Sequence, residues 1–446
     1  MERLYITKFI ILRGHQFATR SRSVMIDEGI EDSDILEGLN VRYLKIFGLW
    51  KVINDYRKTG NRNGIIKFEV FCTFILTLPY VICQYMSYFN IEVDIQKATF
   101  LNLYPLPALQ MCCRIAVFWF RIDIQCRLYD LIKKNFLNIP EGSRAQIEEI
   151  YKRISKVSNM CCMATLIVNA TIVSLYVVNP GISVDYILYH TGSMTEVTTG
   201  RKKILGGWYP VPMAESPYYE IIFVYEAICI LWGGLFLAVY FSLYYHVLVC
   251  LYAHFTVLGF QIENLKMKSV KNGGSKSCIK RDQNNNSIVY ENLIDIIRDH
   301  QKLLRYFEEL RTVYNPLVTL TLGIGVIVLI IGAIQFLLGK SINPGFIFQI
   351  SEVFALQGLE VCMFCFGSSS IEAAGLTGLA FRQSSGLQFA IYSSDWYKAN
   401  VKFRKAAQML MVRANRGVSL TAIRMYPVNV ETLMAFEDKL LYAQNA

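Results

Sequence analysis

The sequence predicts an all-α polytopic membrane protein with seven transmembrane helices, a cytosolic N-terminus, an extracellular C-terminus and a helical mass in the cytosol. The first observation behind this is composition: 53% of residues are hydrophobic and 18% charged, with mean hydropathy +0.32, against about 25% charged residues in ordinary soluble domains. The second is a series of seven apolar blocks, each near the roughly 20 residues needed to cross a hydrocarbon core about 30 Å thick. The third is the distribution of positive charge. The net charge of +10 alternates with the apolar blocks and forms no single patch, so it reports membrane topology and not a nucleic-acid surface.

In order, the spans fall at Ile65–Phe89, Thr99–Phe120, Met160–Asn179, Tyr218–Phe255, Val313–Leu338, Gly345–Phe366 and Tyr426–Ala446. Residues 1–64 precede them as a cytosolic segment; the opening run MERLYITKFIILRGH is too short and interrupted for a signal peptide and no small-residue cleavage site follows. Basic residues crowd the N-terminal segment, the connection after span two (Arg121, Arg127, Lys133, Lys134, Arg144, Lys152, Arg153, Lys156) and the connection after span four (Lys266, Lys268, Lys271, Lys276, Lys280, Arg281). The alternate connections hold only Lys97, then Arg201, Lys202 and Lys203, then Lys340. The positive-inside rule therefore puts the N-terminus in the cytosol, the reverse of a G-protein-coupled receptor. Spans four and five continue as helical periodicity past the bilayer, and the segment Lys268–Ser287, rich in Asn, Gly, Ser and Lys, reads as a mobile loop between them.

Charges inside the spans are few. Arg114 in span two and Glu360 in span six lie about fifteen residues from the outer ends, at similar depth for a rise of about 1.5 Å per residue. A lone charge at mid-membrane costs at least ~2.5–3.5 kcal/mol, so shared depth favours an ion pair, with snorkelling of Arg114 to the inner headgroups as the alternative. Glu226 and Glu352 also match in depth, in the outer halves of spans four and six. They read either as facing carboxylates, one of them donating a hydrogen bond to a ligand, or as groups turned toward a vestibule or a backbone donor.

A ligand pocket is expected where helices enclose apolar space with few polar groups. The outer halves of the bundle supply Tyr85, Tyr104, Ile172, Tyr176, Phe223 and Phe346, side chains suited to a small volatile or semi-volatile molecule, and the long connection from Pro180 to Pro217 is placed to cover it. None of the twelve cysteines lies in a proposed outer loop, which argues against an extracellular disulfide. Cys362 and Cys365 have CxxC spacing but no second pair, and His246 and His254 lack partners to complete a metal set. No phosphate-binding Gly loop, HExxH or nucleophile elbow occurs, so an enzyme is not expected, nor a cofactor.

The C-terminal third carries a resemblance. AIYSSDW with Tyr392 and Trp396, then MLMVRANRGVSLTA and YPVNVETL, and upstream IIRDHQKLLRYFEELRTVYNP from Ile296 to Pro316, resemble the signatures of insect odorant receptors. That resemblance implies an odorant-gated, non-selective cation channel, a tetramer of tuning subunits with a shared odorant co-receptor subunit, in the plasma membrane of an olfactory neuron dendrite. It implies that 65–366 holds six spans and the ligand pocket, that 367–425 belongs to a cytosolic anchor with subunit contacts at Tyr392, Trp396 and Leu410, and that 426–446 is the pore-lining helix, bringing Ala435, Lys439, Tyr442 and Ala446 to the pore. The basic stretch from Ala390 to Ala422 then reads as the inner half of a broken seventh helix, with Trp396, Val401, Met409, Leu410 and Val412 as a packed stripe.

Three features depart from the family pattern. Gly417 stands where a proline is usual, residues between Gly367 and Tyr392 form an insertion, and Glu437, Asp438 and Lys439 fall within the pore helix of a chain that ends about where the gate residues would sit. A gustatory-type channel of the same superfamily is the alternative. A metabotropic receptor would need an outside N-terminus, and a transporter would often show two halves of similar pattern, which the sequence lacks.

Overall fold

The computed structural model describes residues 39–46, 49–60, 69–90, 101–103, 105–133, 136–181, 204, 208–212, 215, 217–265, 276–338, 351, 353–366, 387–394, 396–414, 420–422 and 426–427. Its helices are α1 (Leu39–Ile46), α2 (Leu49–Thr59), α3 (Glu69–Asn90), α4 (Pro105–Phe120), α5 (Ile122–Leu128), α6 (Arg144–Gly181), α7 (Tyr218–Glu263), α8 (Lys276–Leu338), α9 (Val353–Phe366), α10 (Leu387–Ser393) and α11 (Val401–Ala414). A two-residue antiparallel pair, β1 (Thr421–Ala422) with β2 (Tyr426–Pro427), follows. Spans one to six of the sequence reading correspond to α3, α4, α6, α7, α8 and α9. The seventh, beyond Pro427, lies outside the described residues.

Four of these segments, those containing α4, α6, α7 and α8, are long and apolar enough to cross a bilayer, with α3 and α9 as shorter apolar helices. Their outward faces have the composition of a lipid contact. On α3, Ile75, Leu78, Ile82, Met86 and Phe89 are exposed, spaced three or four apart so that they share one helix face. On the first half of α7, Ile221, Val224, Ile228, Leu231 and Leu235 do the same, while Ile222, Glu226 and Cys229 turn inward.

Helix α7 then changes character. From Leu237 to Ile262 it is buried on nearly every face, because it leaves the upper bundle and becomes the central post of a second helical mass, here termed the base. A helix that is apolar all round requires such a position. Around it pack α1, α6, α8 and α10, and α11 packs on α8 and α10. The core is continuous from Leu44 and Trp50 through Leu128, Tyr129, Val247, Leu251, Leu303 and Leu310 to Ala407 and Leu410.

Polar side chains tie the base together. Arg57 of α2 donates from Nε to the Cys126 carbonyl at 3.1 Å and pairs with Asp130 at 2.7 Å. Arg127 of α5 grips both carboxylate oxygens of Glu309 at 3.1 Å. His254 of α7 is fixed on both nitrogens: Nε2 donates to the Leu131 carbonyl at 2.7 Å, which leaves Nδ1 to accept from the Tyr151 hydroxyl at 2.9 Å. This accounts for one histidine of the His246/His254 pair as a satisfied core group. Among the described residues, no three His, Cys, Asp or Glu side chains are grouped to hold a metal.

Two local expectations are corrected. The polar stretch through Lys268–Ser287 is helical from Lys276 onward, because a helix nucleated by the packed face beyond Leu293 gains one hydrogen bond for each residue it adds at its N-terminus. On α11 the buried face is Phe403, Ala407, Leu410 and Ala414, while Val401, Met409 and Val412 are exposed. Spacing of 4, 3 and 4 keeps the first set in one stripe, and Val401, Met409 and Val412 fall off it. Between α11 and the C-terminal segment, Thr421 of the strand pair is docked onto α8: its N–H donates to Asn315 Oδ1 at 3.3 Å, and its hydroxyl accepts from Asn315 Nδ2 at 3.2 Å.

Candidate functional site

The upper half of the bundle holds a half-open cavity of about 160 Å³ bordered by α3, α4, α6, α7 and α9. Close helix approaches surround it. A Cβ at Gly234 of α7 would overlap Val173 of α6, and Asn169 of α6 closes the same crossing by donating to the Gly234 carbonyl at 2.8 Å. Pro79 removes an N–H from the middle of α3, and the adjacent Leu76 carbonyl accepts from the Tyr225 hydroxyl of α7 at 2.7 Å. These contacts hold the walls; Ala108, Met111, Ile172, Ile230 and Leu356 make most of the lining apolar.

One end of the cavity is polar. Arg114 of α4 and Glu360 of α9, both lining residues, are only 4% and 5% exposed and form an ion pair, with Arg114 Nη1 donating to Oε1 at 3.1 Å and Nη2 to Oε2. Gln110, one turn before Arg114, donates to Glu360 Oε2 at 2.7 Å and to Thr321 Oγ1 of α8 at 3.1 Å. Thr321 also accepts from Arg114 Nη2 at 3.0 Å and passes its own proton to the Leu317 carbonyl at 2.9 Å. The Arg114 guanidinium lies 5.6 Å from the ring centroid of Phe241 on α7. Of the two alternatives the sequence left open for Arg114, the structure selects pairing over snorkelling. A buried pair of this kind is tolerable only because hydrogen bonds satisfy both partners.

Glu226 of α7 is fully buried near the top of the bundle. It accepts from the Tyr209 hydroxyl at 2.8 Å and from the Ile204 backbone N–H at 3.0 Å, so a backbone donor and a tyrosine from the preceding connection hold it. Burial and the adjacent carboxylate push the Tyr209 phenol well above its ordinary pKa, keeping it a proton donor. The connection is thereby pinned over the helix ends, as the Trp208 backbone N–H, donating to Ser87 Oγ at 3.0 Å, also shows. Glu352 lies outside the described residues.

The expected pocket residues separate into groups. Ile172 lines the cavity. Tyr85 and Phe223 pack beside it, in an upper core built on Tyr80, Val81, Leu103, Ile204, Val328 and Val353. Tyr176 belongs to α6 by its backbone, and Tyr104 and Phe346 are outside the described residues, as are Ala435, Lys439, Tyr442 and Ala446. In the base, Tyr392 is exposed, Trp396 half-buried and Leu410 buried. Sequence reasoning missed Gln110, Thr321, Phe241 and Gln357, the last a lining residue whose Nε2 donates to the Thr321 carbonyl at 3.4 Å. Two of them carried a signal, because Gln110 stands four residues before Arg114 and Gln357 three before Glu360, spacings that put each pair on one face of its apolar helix.

A family model described as 7tm Odorant receptor matches residues 104–436. The chain belongs to the 7tm odorant receptor family. It is therefore a multi-pass membrane protein of the chemosensory receptor kind. Two solved structures support the fold of this odorant receptor chain. The insect olfactory receptor OR5 from Machilis hrabei in complex with eugenol aligns with TM-score 0.66 at 16% identity, covering 90% of this chain and 96% of that one. A second structure of the same receptor, described without that compound, aligns at 0.63 and 18% identity, covering 90% and 97%. Comparison with curated proteins finds no match.

Proposed function

We propose that this odorant receptor chain is a tuning subunit of an odorant-gated, non-selective cation channel, assembled as a tetramer with an odorant co-receptor subunit in the plasma membrane of an olfactory neuron. The observation that supports the reading is the half-open, largely apolar cavity among α3, α4, α6, α7 and α9. Its volume is close to the ~150 Å³ of an apolar protein cavity that holds benzene, which suits a volatile of one ring or a short chain. A relative of the same fold is described in complex with eugenol, a compound of that size class.

In this reading α1, α2, α5 and the base lie in the cytosol and the cavity in the outer half, which the basic connections support. The base, with residues 367–425, serves as the anchor through which subunits meet, its exposed Tyr392, Val401, Met409 and Val412 offering contact surface. Residues 426–446 line the pore, with Ala435, Lys439, Tyr442 and Ala446 facing it. The chain has no catalytic role.

Whole-cell current tests the reading. Expressed with a co-receptor subunit and exposed to a panel of volatiles, the chain gives an odorant-evoked cation current that is absent without it. Ala108→Phe, which puts a ring into the cavity, abolishes the response while surface assembly persists. Full responses in Ala108→Phe would remove the cavity from the mechanism.

A further inference from the structure

The exposed surface of α6 changes chemistry at one level. Its lower part shows Lys152, Arg153 and Lys156, and from there upward it shows Val157, Met160, Met163, Ile167 and Val168. No Asp, Glu, Lys or Arg occurs between Val157 and Gly181. Such a switch marks the level at which a spanning helix passes from water and headgroups into hydrocarbon.

Helix α1 is docked at that level. The Leu39 N–H donates to Asn159 Oδ1 at 2.8 Å and the Tyr43 hydroxyl donates to Met163 Sδ at 3.6 Å, so α1 climbs alongside α6 with Val41 and Leu44 buried in the core. Its exposed residues are Arg42 and, one turn on, Ile46. Arg42 is therefore held beside the lipid-facing methionines, with Lys156 about one turn below Asn159 on the other side of the α1–α6 contact. Lys152, lower on α6, is answered by Glu148 at 3.3 Å. Among the described residues no carboxylate lies within ion-pair distance of Arg42 or Lys156, and Glu148 and Glu149 stand at least about 15 Å below Asn159 at 1.5 Å per residue. Two cations thus flank a helix contact at the membrane boundary with no counter-charge beside them.

We propose that the corner between α1 and α6 is a binding site for an anionic glycerophospholipid, whose phosphate is taken by Arg42 and Lys156 while an acyl chain lies along Met160, Met163 and Ile167. Steps of three and four residues keep those three side chains in one stripe, so the apolar track begins beside the cations and runs away from them. The planar guanidinium of Arg42 suits two phosphate oxygens at once, and Lys156 adds a point charge. A zwitterionic lipid carries its own cation next to the phosphate and meets the corner with less gain. A free phosphate satisfies the cations but leaves the stripe uncovered. The proposal needs only that the chain spans a membrane, and it stands apart from the odorant and channel readings.

Native mass spectrometry of the purified full chain in detergent tests it, with palmitoyl-oleoyl phosphatidylserine titrated against phosphatidylcholine of the same acyl chains. Phosphatidylserine is expected to be retained at least about tenfold more tightly. In Arg42→Gln/Lys156→Gln that ratio is expected to fall to about one with phosphatidylcholine retention unchanged. Arg121→Gln, which removes an exposed cation next to exposed Phe120 at the end of α4, is expected to keep the preference. Equal retention of the two lipids by the unmodified chain overturns the proposal. A preference that survives the double variant overturns it too, because the lipid then binds elsewhere, and an equal loss in Arg121→Gln would mean that net positive charge alone suffices. Inorganic phosphate at the lipid's concentration is expected to displace none of it; full displacement would make the corner a site for free anions. The two lipids are compared on the unmodified chain, so misfolding of a variant does not shelter the proposal.

Discussion

At the residue scale, two charges inside an apolar bundle are held by complementary hydrogen bonds, and the consequences of removing one are unequal to those of removing both. Arg114→Ala leaves Glu360 buried with Gln110 as its remaining partner among the described residues, and Glu360→Ala leaves a cation against apolar walls and Thr321. Breaking such a pair from one side costs about 3–5 kcal/mol. Each single variant is expected to lose most surface expression, and the double variant to lose less than the sum. Additive losses in a double-mutant cycle on thermal stability would mean that the two side chains act independently. In the base, His300 of α8 is a second test at this scale. It is 3% exposed, packed edge-on to Phe255 at 6.3 Å, and burial, with Arg413 as a lesser cause, lowers its pKa from 6.5 to about 4. The folded state therefore keeps His300 neutral while the unfolded chain protonates it below pH 6.5. This contribution is complete above pH 6.5 and is lost as pH falls toward 4, about 3 kcal/mol in all at 1.36 kcal/mol per unit. Thermal melts of His300→Leu between pH 7 and 4.5 are expected to fall less steeply than those of the parent; parallel curves would exclude His300 as the titrating group.

At the scale of elements, the helices were legible where apolar periodicity is long, and their phases were not. Six apolar helices could be found from the sequence, four of them long enough to cross a bilayer, because a helix crossing lipid must keep about 20 apolar positions together whatever it packs against. On α11 the sequence offers Phe403, Ala407 and Leu410 alongside Val401, Met409 and Val412, two apolar sets, and only the docking of α11 on α8 and α10 decides between them. Leu410→Ala is expected to cost about 2–5 kcal/mol, the range for a buried Leu, whereas Met409→Ala stays within about 0.5 kcal/mol of the parent. Reversed magnitudes in chemical unfolding would mean that α11 is turned the other way. The same reasoning applies where a glycine makes room for a side chain of the facing helix. A methyl at Gly332 of α8 would overlap the Phe354 ring of α9, so Gly332→Ala is expected to loosen that crossing and lower the melting temperature, while Gly323→Ala on the same helix, with open space around it, is expected to leave it unchanged or slightly raised.

At the scale of the whole molecule, composition and charge distribution announced a polytopic helical membrane protein, and short C-terminal motifs announced the family. The cavity was only half legible. Arg114 and Glu360 were found from depth alone, because charge in an apolar helix is rare enough to demand a partner. Among the described residues, Ile172 was the one expected pocket residue that reached the lining, since aromatic residues of an apolar bundle are equally suited to wall packing, as Tyr85 and Phe223 show. Gln357 and Thr321 carry no charge and went unnoticed. One further property follows from α8, whose 63 residues run unbroken from the base past the cavity floor to the upper bundle. Its length is about 95 Å, and the arm from Thr321 down to Tyr290 is about 46 Å. With Thr321 as fulcrum, a tilt of about five degrees sweeps the lower tip through about 4 Å for this arm length. The fold thus carries a long arm that meets the Arg114–Glu360 network at Thr321 and ends among the packed helices below, a geometry in which a tilt that barely shifts the atoms beside Thr321 is read out at molecular dimensions at the far end.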